Sequence, residues 1–350
     1  MVTMDFTPPS NISGNGTDRN VTQDQDGGDV NAYQLVTLVA QAILMIVICF
    51  GNGMVIAAFY RSEVIQTITN YYIMHLAVAD FTVGLSLPFH IACFLKPDIL
   101  NNIYVCIFRY STLMTTQSVS VLCLLAITID RYSAVVYHMR YHSLMTKWRA
   151  AVTIVAVWII PIVMGVIVPF LWHNPWPENE SERDCDFGKT LSLDFHRYIS
   201  VGSFAIVTAV MLTLYSRIFQ VAKRHAAQIE DLMANIPDKM AFNVNLKIAK
   251  TAAIVIGLFL LFWAPFFLIL TTQAYGNLIH SKLLIELRVY ASILALVNSG
   301  VNPVVYAYRL PEFRREFRKI LHLKQSGGAN SPEHDNFSAN GPLPPPNPPV

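Results

Sequence analysis

The chain has 350 residues and a net charge of only +2, with 53% hydrophobic and 14% charged residues and a mean hydropathy of +0.42. A soluble domain carries about 25% charged residues, so the composition excludes an ordinary water-soluble globule and points to lipid as the solvent. Nucleic acid is not expected among its partners.

Residues 1–33 are poor in apolar side chains and carry three glycosylation acceptors, Asn11, Asn15 and Asn20. They lack the basic and apolar regions of a cleavable signal, so the first helix is expected to direct insertion. Crossing a hydrocarbon core of about 30 Å takes roughly 20 apolar residues. Uncharged stretches of that length run from Leu35 to Tyr60, from Ala150 to Trp172 and from Thr251 to Ala274. Four more contain an isolated polar residue or a charged end: Tyr71 to Phe94 with Asp80, Ile103 to Tyr137 with Asp130 and Arg131, Tyr198 to Val221 with Arg217, and Val289 to Tyr308. The sum is seven, and the expected fold is an all-α bundle of seven transmembrane helices over 34–309. After it, Pro311 suits a helical first turn. Phe313, Phe317, Ile320 and Leu321 recur at helical spacing opposite Arg314, Arg315, Arg318 and Lys319. Residues 310–323 therefore read as an amphipathic helix lying on the lipid bilayer, and the proline-rich 324–350 as a disordered tail.

Short-loop Lys and Arg set orientation. Arg61, Arg140, Lys147, Arg149, Lys223, Arg224, Lys247, Lys250 and the run from Arg314 to Lys319 fall on one side, which is therefore expected to be cytoplasmic. Glu178, Glu180, Glu182, Asp184 and a fourth glycosylation acceptor, Asn179, fall on the other with the N-terminal tail. This describes a multi-pass plasma-membrane protein with its N-terminus outside and its C-terminus in the cytoplasm.

Of five cysteines, Cys49, Cys93 and Cys123 lie within apolar spans, where a thiol packs as a small hydrophobe. Cys106 and Cys185 remain at the oxidising exterior and are expected to pair. Cys106 stands 25 residues before Arg131, about 37 Å along a helix, so one end of the third span is outside and the other inside.

Asp130-Arg131-Tyr132 occupies that inner end. Together with Gly51-Asn52, Leu76-Ala77-Val78-Ala79-Asp80, Trp158, Phe262-Trp263-Ala264-Pro265 and Asn302-Pro303-Val304-Val305-Tyr306, it resembles the rhodopsin-like (class A) G-protein-coupled receptors. The resemblance implies a receptor, not an enzyme, whose partners are a heterotrimeric G protein, an extracellular small-molecule ligand, receptor kinases and arrestin. It implies that Asp130 restrains Arg131 at rest and that Trp263, repacked by ligand, lets the helix swing about the Pro265 kink. Pro303 supplies a second kink, Tyr215 and Tyr306 support the open form, and Met139 inserts into the G protein. It also implies an allosteric sodium ion, with no covalent cofactor, held by Asp80, Ser120, Asn298, Ser299 and Asn302. Asp80 costs about 2.5–3.5 kcal/mol at mid-membrane depth on insertion scales and is a functional residue by default.

Within that family the chain is similar to adenosine receptors, from Thr69-Asn70-Tyr71 through Ala126 to Tyr132, Tyr306-Ala307-Tyr308-Arg309 and Glu312-Phe313-Arg314. Phe187 matches their adenine-stacking aromatic, whereas Gly188 and Leu270 stand where an acid and an amide are the rule. An aminergic receptor with an altered anchor is a rival, because Leu113 replaces the amine-binding Asp although Ser200 and Ser203 resemble the catechol-facing serines. A decoy that binds ligand without signalling is another, although it would be expected to lose Asp130-Arg131-Tyr132. Retinal would need a lysine where Leu296 stands. The expected pocket is lined by Leu113, Met114, Gln117, Phe187, Phe266, Phe267, Leu270, Ser292 and Leu296, with Arg288 and His196 near the rim as candidates for an anion. Val207 replaces the usual proline of the fifth span. Asn245 replaces an acid that would help hold Arg131, which implies raised ligand-independent activity.

Overall fold

With no water to bond inside a bilayer, each backbone N–H and C=O must be satisfied within its own segment, and a helix does this. The computed structural model describes residues 32–179, 183, 185–231, 237–276, 278 and 281–323, with the backbone alone at 32–34, 138, 222–223, 225–231, 237–249, 251–252 and 282. Seven helices are long and apolar enough to cross a membrane. They belong to α1 (Ala32–Arg61), α2 (Ile68–Leu95), α3 (Ile103–Val136), α4 (Lys147–Leu171), α5 (195–231), α6 (Pro237–Tyr275) and α7 (Lys282–Arg309), and the shorter α8 (Pro311–Ile320) follows. No strand occurs among the described residues; the nearest thing is an isolated bridge between His173 and Leu191. The all-α seven-helix fold read from the apolar spans is the fold observed. Most of the helices overrun those spans, α6 the furthest, because adding a turn to an existing helix is cheap once the nucleus has formed.

Helix starts are written locally. Thr67, Asn102 and Thr146 cap α2, α3 and α4 by accepting the backbone N–H of Asn70, Tyr104 and Arg149. Outward faces are apolar, with Ile43, Ile46, Leu85, Val155, Ile206, Leu261 and Val304 all exposed, as a lipid solvent permits.

At the centre stands α3, packed against α2, α4, α5 and α6, while α1 closes the ring against α2 and α7. Close approach depends on missing side chains. A Cβ on Gly84 would lie 2.6 Å from the Cys49 sulfur and 3.3 Å from the Cys49 backbone nitrogen, so α1 and α2 meet there as backbones. A Cβ on Gly165 would lie 2.6 Å from the Thr115 hydroxyl, and Gly165 sits in a π-turn, Val163–Ile167, that follows Pro161 in α4. A second π-wound stretch, Phe195–Gly202, opens α5. It loosens the helix upstream of Val207, in a segment with no proline of its own.

On α8, Phe313 and Phe317 are buried, the Phe313 ring tilted 6.1 Å from that of Tyr306 of α7, and Arg314, Arg315, Arg318 and Lys319 are exposed. Leu321, expected on the apolar face, lies just past the helix end and is exposed.

Gly84→Val overpacks the α1–α2 contact and is expected to cost about 1–3 kcal/mol. Thermal unfolding of the purified protein checks this, and an unchanged midpoint contradicts the backbone-contact account.

Candidate functional site

Four polar clusters thread the bundle from the disulfide end to the Asp130–Arg131 end. At the first, Cys106 and Cys185 are bonded with their Cα atoms 5.8 Å apart, and the loop behind Cys185 folds into the helix mouth. Its short helix, Phe187–Thr190, is capped by Asp186, whose Oδ1 accepts the N–H groups of Gly188 and Lys189 at 2.9 and 3.2 Å. The other carboxylate oxygen receives Arg288 of α7 at 3.1 Å, and Arg288 also donates to Gln273 of α6 at 3.0 Å. Phe187 is fully buried between the rings of Tyr110 and His196, with the Arg288 guanidinium 5.8 Å from its centroid. Tyr110 fastens the loop from below by donating to the Cys185 carbonyl at 2.7 Å. One disulfide to α3 and one ion pair to α7 thus clamp this loop to two helices.

Beneath it lies a narrow cleft lined by Gln117, Ser118 and Val121 of α3, Ser203, Phe204 and Val207 of α5, and Trp263 and Phe267 of α6. Phe204 and Phe267 stack at 3.4 Å. Both amide atoms of Gln117 and the indole N–H of Trp263 are buried without a hydrogen-bond partner among the described residues. A buried polar group left unpaired costs about 1–3 kcal/mol, so these three atoms offer a neutral ligand a donor and acceptor set in an apolar wall.

Deeper, Asp80 is fully buried and accepts Ser120 and Asn302 at 2.8 Å each, one on each carboxylate oxygen. The buried Ser299 hydroxyl stands beside it. Asn298 is buried too, and no hydrogen bond joins it to Asp80. Asn52 ties this level to α1 by donating to the Ser299 carbonyl at 2.9 Å.

At the last level Arg131 bonds Asp130 through Nε at 2.9 Å and through its Nη2 as well, and that nitrogen also donates to the Thr69 hydroxyl. Thr69 donates in turn to Asp130 at 2.6 Å, and Tyr141 donates to the other carboxylate oxygen at 2.8 Å. Burial first, and then the charge of Asp130, push the Tyr141 hydroxyl up to about 12. It therefore donates throughout the neutral range, and its contribution is lost only as pH climbs through that value. Tyr132 packs edge-on against Tyr137, and Tyr215 lies near Thr128 and Arg131. Met139 is 86% exposed beside this cluster.

Of the nine residues expected to line a pocket, Gln117 and Phe267 face the cleft. Leu113, Met114, Phe266, Leu270 and Leu296 are packed in the surrounding core, Phe187 belongs to the loop plug, and the Ser292 hydroxyl is spent on the Val289 carbonyl. Pro265 and Pro303 sit inside α6 and α7, and the Tyr306 hydroxyl is buried without a hydrogen-bond partner among the described residues. Arg288 and His196 are engaged by Asp186 and the Phe187 carbonyl, not aimed at solvent. Asn179 is exposed; Asn11, Asn15 and Asn20 and the side chain of Asn245 lie outside the described residues. Sequence reasoning misses Arg109, Asp186 and Tyr141. Only Arg109 carries a local signal, a charge within an apolar span.

Residues 51–306 match the family described as 7 transmembrane receptor (rhodopsin family). Adenosine receptor A2b of Gallus gallus is 31% identical over 311 residues, covering 83% of this chain and 90% of that receptor. Adenosine receptor A2a of Equus caballus is 32% identical over 303 residues, 82% of this chain and 72% of that one, and the Homo sapiens A2a receptor is 31% identical over 302 residues. The chain belongs to the rhodopsin family of seven-transmembrane receptors.

Thr69→Val strips the hydroxyl that bonds both members of the buried pair. It is expected to lower the thermal midpoint more than Tyr141→Phe, whose ring is half-buried, with Thr69→Ser close to wild type; equal losses from all three argue against the shared-hydroxyl geometry.

Proposed function

We propose that this receptor converts binding of an extracellular small molecule into activation of a heterotrimeric G protein, with its N-terminus outside the plasma membrane and the Asp130–Arg131 end in the cytoplasm. The observation that carries the reading is the buried Asp130–Arg131 pair braced by Thr69 and Tyr141. An arginine held this way is a latch with a defined resting partner. Ligand in the cleft displaces the Trp263 ring, which already touches Phe259, Phe266 and Phe267 at about 6 Å. The shift is passed along α6, which lacks one backbone hydrogen bond at Pro265. Arg131 then leaves Asp130, and the vacated end accepts the G protein, with exposed Met139 as its apolar contact. Receptor kinases and arrestin are the partners expected of the open state.

Gln117 and Trp263 favour a compact ligand with an apolar body and one neutral hydrogen-bonding edge. Adenosine, carried in the relatives' names, is a candidate of that kind, although Leu270 offers it no amide. Asp80, Ser120, Ser299 and Asn302 supply hard oxygens suited to sodium, which would neutralise the carboxylate and favour the resting packing. A non-signalling decoy is disfavoured by the intact, ion-paired Arg131.

Basal and ligand-stimulated nucleotide exchange on reconstituted G proteins tests this in one experiment. Wild type is expected to exchange, Arg131→Ala to fall to background, and sodium to depress exchange in wild type but not in Asp80→Asn. Exchange that survives Arg131→Ala contradicts the latch, and an equal sodium response in Asp80→Asn contradicts the ion site.

A further inference from the structure

Three arginines are buried among the described residues, and two of them have an acid opposite: Arg131 has Asp130 and Arg288 has Asp186. The third, Arg109 of α3, is fully buried and has none among those residues. Its Nε donates to Nδ1 of His90 on α2 at 3.4 Å, and its guanidinium lies 5.5 Å from the Tyr110 ring centroid. Both terminal nitrogens, Nη1 and Nη2, are buried with no hydrogen-bond partner among the described residues. Arginine does not shed its proton in a protein, so this cation has no neutral form to fall back on. His90, accepting through Nδ1, brings no negative charge. A buried charge without an opposite charge is strongly unfavourable, and among the described residues Arg109 is such a charge at the disulfide end of the central helix.

The geometry defines what would relieve it. With Nε tied to His90, the two terminal nitrogens form a planar fork matched to the paired oxygens of a carboxylate or phosphate. Arg109 is three residues past Cys106, about 4.5 Å along the helix from the disulfide. Four residues further on, Leu113 is fully buried, and four beyond that Gln117 lines the cleft, about 12 Å from Arg109 along one face of α3.

We propose that Arg109 anchors the oxyanion head of an amphiphilic ligand whose apolar body runs along Leu113 toward the Gln117 cleft. The assignment rests on the reading that the bundle holds a ligand, and it sharpens that ligand to an organic carboxylate or a phosphate monoester. A protonated amine is disfavoured by like charge. The oxyanion comes either from a soluble ligand or from a lipid headgroup.

Thermal unfolding of the full-length receptor in phosphatidylcholine nanodiscs tests it, with decanoate and decyl phosphate as probes and methyl decanoate as the uncharged control. An oxyanion probe at about 100 times its Kd is expected to raise the midpoint by roughly 5 °C, and methyl decanoate to leave it unchanged. Arg109→Met, which removes the unpaired charge at similar volume, should leave the unliganded midpoint equal or higher and abolish the shift. Arg109→Gln serves if that variant fails to fold, and the wild-type arms decide if neither folds. A rise on transfer of wild type to phosphatidylglycerol discs, with decanoate then adding nothing, supports the site with lipid as the source. The proposal is overturned if no oxyanion, soluble or lipid, shifts wild type more than the methyl ester, or if Arg109→Met lowers the unliganded midpoint. Because the readout needs no G protein, an anion shift without nucleotide exchange sinks the signalling reading alone, and exchange without an Arg109-dependent shift sinks this one alone.

Discussion

A polar side chain inside a helical bundle in lipid has only its neighbours to bond, and every functional feature of this receptor depends on how that constraint is met or left unmet. Asp80 is met by Ser120 and Asn302, Asp130 by Thr69, Tyr141 and Arg131, and Asp186 by Arg288. Each cluster joins helices that are far apart in sequence, so each is both a brace and a register mark. Elsewhere among the described residues it is left unmet, as at Gln117, Trp263, Tyr306 and Arg109, whose buried polar atoms have a hydrogen bond still to make.

Placement makes this division useful. All the clusters gather on α3, the helix that touches most of the others. Arg109 and Gln117 lie toward its disulfide end and the Asp130–Arg131 pair at the other. On the proposed mechanism, a change in packing around Trp263 reaches Arg131 through one rigid element and one proline-weakened one, without a long chain of intermediates. The loop plug of Phe187, held by Asp186 and Arg288, sets how the disulfide end is closed over the cleft.

Much of this is legible in sequence, and for physical reasons. Apolar length marks the seven spans because lipid admits little else, and Asp80, Asp130 and Arg131 stand out because charge in a span is costly. Cys106 and Cys185 pair as elimination implies. Features set by helix rotation are not legible: Phe204 and Val207 face the cleft while Leu296 and Phe266 are packed beside it, and apolar residues look alike on either face. The π-wound stretches of α4 and α5 leave no composition signal, yet they shift the helical phase of the residues beyond them. The Asp186–Arg288 clamp joins residues 102 positions apart, which no local pattern marks. Arg109 is legible as a charge, but that no acid stands beside it among the described residues emerges only once its neighbours are in place.

The division between met and unmet cations is open to direct observation by side-chain NMR of the receptor labelled with ¹⁵N at arginine, reading rotation about the Nε–Cζ bond and exchange of the guanidinium protons. Without added ligand, Arg131 and Arg288 should show hindered rotation and protected protons, each signal assigned by its own substitution. Arg109 should rotate at its terminal nitrogens until an oxyanion is added, and then become hindered like the other two. Arg109 already locked in the absence of any anion, or Arg131 rotating freely in the unliganded receptor, would contradict the account.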